Sequence, residues 1–427
     1  MLLSSIIIHS VNRDIMLVRQ YPSDLRNRVV GARLQKDGKL PYFYYWRPRD
    51  GERYADPNNQ NQGPKTINNI TASPFFHELL MPVCDLPQKT LAGLWTMLQY
   101  LLQAGITLLL CSLTKEQDKK WLLVNISVLF TITQAWICLI SGGQLYLFEG
   151  FLMSCIIFGV LRNHKPAIVF AGVCAAMLVL TRPIAIIIFI SFVLKYKKNL
   201  LWLFSAFAVL MLYWTFVLSS TFETSLWKQY AAALKMHVQL HQSDDPDLEA
   251  KRTFPVNVSD IEGYDFDEVK RLNIAYPIPV YSECGNFFYL YNITTGRKMP
   301  LSVLNSLLLI SLILLSTLFY FSYRKNAPDP MQILIFALTL YMLVEMFSPI
   351  HRHQYNTTQW FPIVLSGFLF LHHRPWLFSL LASGLVLNIG CITWLPMRHT
   401  IGELIWMAGS LLIALIPSEN QFQWRSQ

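Results

Sequence analysis

The chain has 427 residues, of which 53% are hydrophobic and only 14% charged, and its mean hydropathy is +0.35. Soluble domains carry about 25% charged residues, so an ordinary soluble domain is excluded. Apolar runs of about 20 residues imply an integral membrane protein. The net charge of +9 does not imply nucleic acid as a partner, because much of the excess sits in short loops between apolar runs, where membrane orientation accounts for it.

Residues 1–89 are mostly polar except for the start "MLLSSIII". That stretch is too short to span a bilayer as a helix, and it lacks the basic start and cleavage site of a signal peptide. It is either the stub of a first span or a loop-packed segment. Next comes "YPSDLRNRVVGARLQKDGKLPYFYYW" (21–46), basic and aromatic, with one carboxylate, Asp24, just ahead of Arg26, Arg28 and Arg33. Eleven apolar segments then follow, at 90–113, 121–140, 145–161, 167–180, 184–194, 199–220, 301–322, 331–349, 359–371, 375–396 and 401–417. "TRP" (181–183) reads as a turn between two spans. The large loop 221–300 is polar, with a helical, aromatic-anchored stretch at 226–240 that fits an interfacial helix. It carries acceptor patterns for N-glycosylation at Asn257 and Asn292.

Lysines and arginines concentrate in 115–120, 162–165, 195–198, 324–325 and 372–374. The positive-inside rule puts these loops in the cytoplasm. Residues 1–89 and 221–300 then lie outside, with helices at 90–220 and 301–417 and a cytoplasmic tail at 418–427. The unusual polar clusters fall on the outer face.

Asp24 can act there as a general base on an acceptor proton, or it can pin a loop by pairing with an arginine. "RYADPNNQ" puts Asp56 in a turn, read as structural. "SGGQLYLFEG" brings Gly143 and Gln144 to the start of a span, as a tight turn or as a close approach to a ligand. Glu149 lies one turn deeper, and an intramembrane carboxylate is a functional candidate by default. Arg182 lies between two apolar runs and needs a counter-charge, a phosphate or a path to the headgroups. "EMFSPIHRHQYNTTQWFP" (345–362) gathers Glu345, His351, Arg352, His353 and Tyr355, suited to phosphate binding or proton handling. The His-x-His pair has no third and fourth ligands at fingerprint spacing, so no metal and no cofactor is expected. Seven cysteines show no metal spacing. Only Cys84 and Cys284 lie in long loops, where a disulfide between them is an open option.

The stretches "SDLRNRVVGARLQKDGKLPY", "SGGQLYLFEG", "LTRPIAIIIFISFVLKYKK" and "SPIHRHQYNTTQWFP", in this order over roughly residues 21–360, resemble glycosyltransferase family 87, the mannosyltransferase-like group that uses polyprenyl-phosphate sugars. The resemblance implies an all-α polytopic membrane protein, a C-type glycosyltransferase bundle of about eleven transmembrane helices. The family's full first span is here reduced to "MLLSSIII", as if truncated. It implies that Asp24 is the base, that Gly143 and Gln144 match the family's Gly-Gln, and that Arg182-Pro183 stands where the family has Lys-Pro. His351, His353 and Tyr355 match its His-containing loop.

The expected activity is therefore inverting transfer of a mannose or other sugar from a polyprenyl-phosphate donor to a glycan or glycolipid hydroxyl, at the periplasmic or exterior face of the cell membrane. Asp24 is the catalytic residue. Arg182, His351, Arg352 and His353 hold the donor phosphate, and Arg26, Arg28, Gln144 and Tyr355 contact substrate, with membrane lipids as the surroundings. The alternatives are a lipid or solute transporter and an inactive truncated paralogue.

Overall fold

The computed structural model describes residues 2–19, 22–44, 50–54, 71–195, 200–242, 285–350, 352–369, 375–389, 395 and 397–416. His351, Asp56, Asn257, Cys284, most of the basic 195–198 and 372–374 loops, the centre of loop 221–300 and the tail lie outside the described residues. Every described element is helical.

The first helix, α1 (Leu2–Val18), runs well past the apolar start. Its polar residues are docking points rather than a break. Asp14 is buried and accepts hydrogen bonds from Tyr100 Oη at 2.6 Å and Trp136 Nε1 at 2.7 Å. Arg13 holds the same carboxylate and the Thr131 carbonyl at 2.8 Å. A buried carboxylate with this many donors is satisfied in place.

Helix α2 (Ser23–Lys36) has Asp24 in its first turn and Arg33 and Lys36 in its last, the charge order that suits the helix dipole. Its buried face, Leu25, Val29 and Ala32, packs with Phe76 and Leu80 of α3 (Pro74–Leu80) and with Trp95. Gly31 lets His77 lie on the α2 backbone, since a Cβ there would sit 2.6 Å from His77 Nε2. Arg53 and Lys36 pair with Asp37 and Asp85 at the surface, and Arg33 donates to the Cys84 carbonyl. These contacts pin Arg53, Cys84 and Asp85 to the end of α2. Cys84 itself is a buried free thiol.

The bundle continues through α4 (Gln88–Cys111), α5 (Gln117–Phe130), α6 (Gln134–Gly142), α7 (Tyr146–Arg162) and α8 (Lys165–Thr181). Arg182 then leaves the helical region (φ −139°, ψ 89°), and a 3-10 stretch, Pro183–Ile188, leads into α9 (Phe189–Lys195). Helix α10 (Leu200–Phe216) is followed by α11 (Thr221–Gln242), which covers the helical stretch expected at 226–240. The described end of the large loop is α12 (Phe287–Thr295). Its N-cap residue Asn286 donates to the Ser348 and Ile350 carbonyls at 2.6 and 2.8 Å.

Two later helices show the two solvents of this protein. Helix α13 (Leu301–Ser322) buries only Leu304 and Phe319 and exposes Leu309, Ile310, Ile313 and Leu314, a surface suited to lipid. Helix α14 (Pro330–Met346), started by an Asp329–Gln332 capping box, is buried at every residue after Pro330. It packs on α17 (Arg398–Leu415), the 183–188 turn and α9. Helices α15 (Phe361–Phe368) and α16 (Pro375–Ile389) complete the set.

The eleven spans read from hydropathy are not found. Among the described residues, α4 and α13 are long and apolar enough to cross a membrane, or up to four crossings if the bent pairs α5–α6 (59°) and α10–α11 (117°) each count as one. Apolar length marks buried core helices as well as lipid-facing ones. The run at 359–371 yields only eight residues of α15, because residues 354–360 form a 3-10 turn with Asn356, Thr357, Thr358 and Gln359 buried.

Gly143 ends α6 in the left-handed region (φ +65°), and a Cβ there would lie 2.6 Å from Leu25 Cβ and 2.7 Å from Pro22 Cβ. Gly143→Val should therefore cost about 2 kcal/mol or more through backbone strain and overpacking. Gly93→Ala, with open space around it, should leave thermal unfolding in detergent unchanged or slightly raised.

Burial, with Arg28 nearby, lowers His77 to about 3, while burial raises the adjacent Glu78 to about 7. The His77 shift withdraws stability as pH falls from the ordinary 6.5 towards 3. The Glu78 shift withdraws stability as pH rises from 4.5 towards 7. Glu78→Gln should therefore gain in melting temperature relative to the wild type as pH rises across 4.5–7. A constant difference over that window would show that Glu78 does not titrate there.

Candidate active site

The start of α2, the α6–α7 corner, the residue after α8, the end of α14 and the turn before α15 meet at one end of the bundle. The close approach of Pro22 and Leu25 to Gly143 sets α2 against the corner. There the Gln144 side chain bridges two charges. Its Nε2 donates to Asp24 Oδ2 and its Oε1 accepts from Arg28 Nη2 at 2.6 Å. Arg28 Nη1 also donates to the Gly143 carbonyl at 2.7 Å. With a donor required on one side and an acceptor on the other, the amide has one usable orientation. Arg28 thus reaches the carboxylate through a neutral amide. Asp24 and Arg28 are half-buried; Gln144 is buried.

Two residues on, the Tyr146 ring stacks with Tyr355 (centroids 5.3 Å apart, planes at 16°). Tyr355 stacks with His353 at 4.9 Å. Burial lowers the His353 imidazole, and the Asp24 charge opposes that shift, which places the two groups within electrostatic reach. Cys138 Sγ donates to Gln354 Oε1 at 3.1 Å, fastening the His353 turn to α6.

The Arg182 guanidinium lies 5.4 Å from the Tyr146 ring centroid. Its counter-charge is Glu345: Nε and Nη2 donate to the two carboxylate oxygens at 3.0 and 2.9 Å. The arginine is about a third exposed, the glutamate almost enclosed. Arg182 therefore meets its charge partner within the protein.

Arg352 is placed differently from what the sequence suggested. It is buried, donates to Glu403 Oε2 at 2.8 Å and holds the Asn356 carbonyl and Gln359 Oε1. Thr357 and Trp360 complete the Glu403 shell. Arg352 thus ties the 354–360 turn to α17. Glu149, a functional candidate by its depth, accepts from Tyr341 Oη at 3.0 Å and Gln359 Nε2 at 2.7 Å, a contact that joins α7 to α14. Arg26 is half-buried on α2.

Asp24, Arg28, Gln144, Arg182, His353 and Tyr355 are thus neighbours. Tyr146 belongs with them and was missed, because an aromatic at the start of a span reads as an interface anchor. Asp14 and His77 were also missed. Their signal, a polar residue inside or beside an apolar run, was present but weak. Among the described residues no three histidine, cysteine or acidic side chains gather to hold a metal. Chemically, the site offers a half-buried carboxylate as proton acceptor, an imidazole, two flat rings, and a guanidinium with donors left over from its carboxylate.

No family model matches the chain, so membership of family 87 is not shown, and no curated protein matches it. Among solved structures, the chain is similar to the Archaeoglobus fulgidus oligosaccharyltransferase in the apo form, with 14% identity and a TM-score of 0.42, over 99% of this chain and 57% of that one. The chain spans little more than half the length of that protein.

Proposed function

We propose that the protein is a membrane glycosyltransferase that uses a lipid-linked sugar, and that Asp24 is its base. The observation that carries this is the Asp24–Gln144–Arg28 bridge beside the His353–Tyr355–Tyr146 stack. A carboxylate held by a neutral amide is presented in a fixed direction to an acceptor hydroxyl. The flat rings offer a platform for a sugar or an isoprenoid.

In the reaction, Asp24 takes the proton of an acceptor hydroxyl. The hydroxyl oxygen forms a bond to the anomeric carbon of a polyprenyl-phosphate sugar while the bond to the phosphate oxygen breaks. The phosphate leaves with the electron pair, and the anomeric centre inverts. Arg182 presents to that phosphate the guanidinium N–H groups that Glu345 does not engage, and fixed donors of this kind stabilise developing charge strongly. His353 and His351 supply further donors, and Tyr355 and Arg26 border the acceptor. Arg28 positions Gln144. The acceptor is a glycan or glycolipid, and the reaction takes place at the outer face of the cell membrane.

Transfer from polyprenyl-phosphate mannose and related donors, measured in reconstituted membranes, tests the assignment. Asp24→Asn should lose about 10²–10⁴-fold in rate while donor binding persists. Equal transfer by wild type and variant would remove Asp24 as base, and no transfer from any donor by folded protein would favour a transporter or a scaffold. Separately, Arg182→Gln should weaken polyprenyl-phosphate binding by about 10- to 100-fold, the loss of a charge-assisted hydrogen bond. An unchanged dissociation constant would limit Arg182 to its Glu345 contact.

A further inference from the structure

At the other end of α7 lies a groove of about 480 Å³, separate from the candidate active site. Arg162 closes it, 16 residues along α7 from Tyr146 and hence about 24 Å away. Gly105 and Leu109 of α4 and Phe151 and Phe158 of α7 form its apolar wall, with Ser112 and Arg162 at one end. Gly105 brings the Phe151 ring down onto α4, since a Cβ there would lie 2.8 Å from the ring. The flanking Leu108 and Phe170 are exposed, so the groove opens on the lipid-facing surface.

The polar end is basic. Arg162 Nη2 donates to the Ser112 carbonyl at 3.3 Å, and its guanidinium rests 5.1 Å from the Phe158 ring centroid. Its Nε is buried and has no hydrogen-bond partner among the described residues. Exposed Lys115 and Lys165 each lie three residues from the groove's polar end. The nearby acids are Glu116, which Lys119 engages at 2.8 Å, and Asp118. The net local charge remains positive.

An apolar trough open to lipid, ending at an arginine with an unused donor, matches one ligand chemistry. We propose that the groove binds an anionic glycerophospholipid of the leaflet opposite the candidate active site. One acyl chain lies along Phe151 and Phe158, and the phosphate accepts from the terminal Arg162 N–H groups that the Ser112 carbonyl does not engage. Arginine favours phosphate because its planar donors match the phosphate oxygens, and basic residues at span ends draw anionic headgroups.

Native mass spectrometry of the full chain, delipidated in detergent and titrated with phosphatidylglycerol or phosphatidylcholine of identical acyl chains, tests this. Wild type should bind phosphatidylglycerol at least fivefold more tightly. Arg162→Gln should erase the difference, and Arg162→Lys should keep part of it. Arg324→Gln, on another basic loop, should leave it unchanged. Leu109→Trp, which fills the trough, should weaken both lipids. Melting temperatures identify any variant that fails to fold. Equal affinity for the two lipids in wild type, a preference that survives Arg162→Gln or falls with Arg324→Gln, or undiminished binding in Leu109→Trp would each overturn the proposal.

Discussion

A charge taken into an apolar bundle must meet a partner there, and this constraint organises the protein. Removing one member of a buried ion pair costs about 3–5 kcal/mol because the other is left uncompensated. Among the described residues, four such contacts lie where helices meet. Asp14 joins α1 to α4 and α6. Arg352 and Glu403 join the 354–360 turn to α17. Glu149 joins α7 to α14 through Tyr341. Arg182 and Glu345 join the end of α8 to the end of α14. Apolar packing between spans is non-directional; these contacts set which helix ends face each other.

Asp24 is the exception that makes the end of the bundle a candidate site. It stands half-buried at the start of α2, and its tie to Arg28 runs through Gln144. The glycine before Gln144 has two structural duties: it ends α6 in a left-handed turn and admits Pro22 and Leu25. The carboxylate is therefore placed by backbone packing and aimed by an amide. The same corner delivers Tyr146 to the Tyr355–His353 stack, so one turn of chain sets both the carboxylate's orientation and the aromatic stack.

The site was more legible in the sequence than the fold that holds it. Asp24 stood out as the one carboxylate ahead of three arginines, and Gln144, Arg182, His353 and Tyr355 as polar residues at the edges of apolar runs, where the cost of burial singles them out. Arg352 shared that signal and went elsewhere, because sequence does not say which way a side chain turns when Glu403, 51 residues later, competes for it. Glu345 was visible as part of the same cluster, but its pairing with Arg182 bridges 163 residues and leaves no local trace. The span count failed for a related reason. Hydropathy reports apolar length, and α14 is as apolar as a span because protein surrounds it. The helix α1 was hidden by Arg13 and Asp14: the partners of Asp14 on α4 and α6, and the Thr131 carbonyl that Arg13 holds, lie far along the chain.

The account rests on Gln144 acting through Asp24. The most direct test is a double-mutant cycle on the transfer rate, with Asp24→Asn, Gln144→Met and the two combined. If the amide serves to orient the base, Gln144→Met slows transfer in the wild-type background and adds little once Asp24 is gone. Losses that multiply in the double variant, or a Gln144→Met enzyme as fast as wild type, would contradict it.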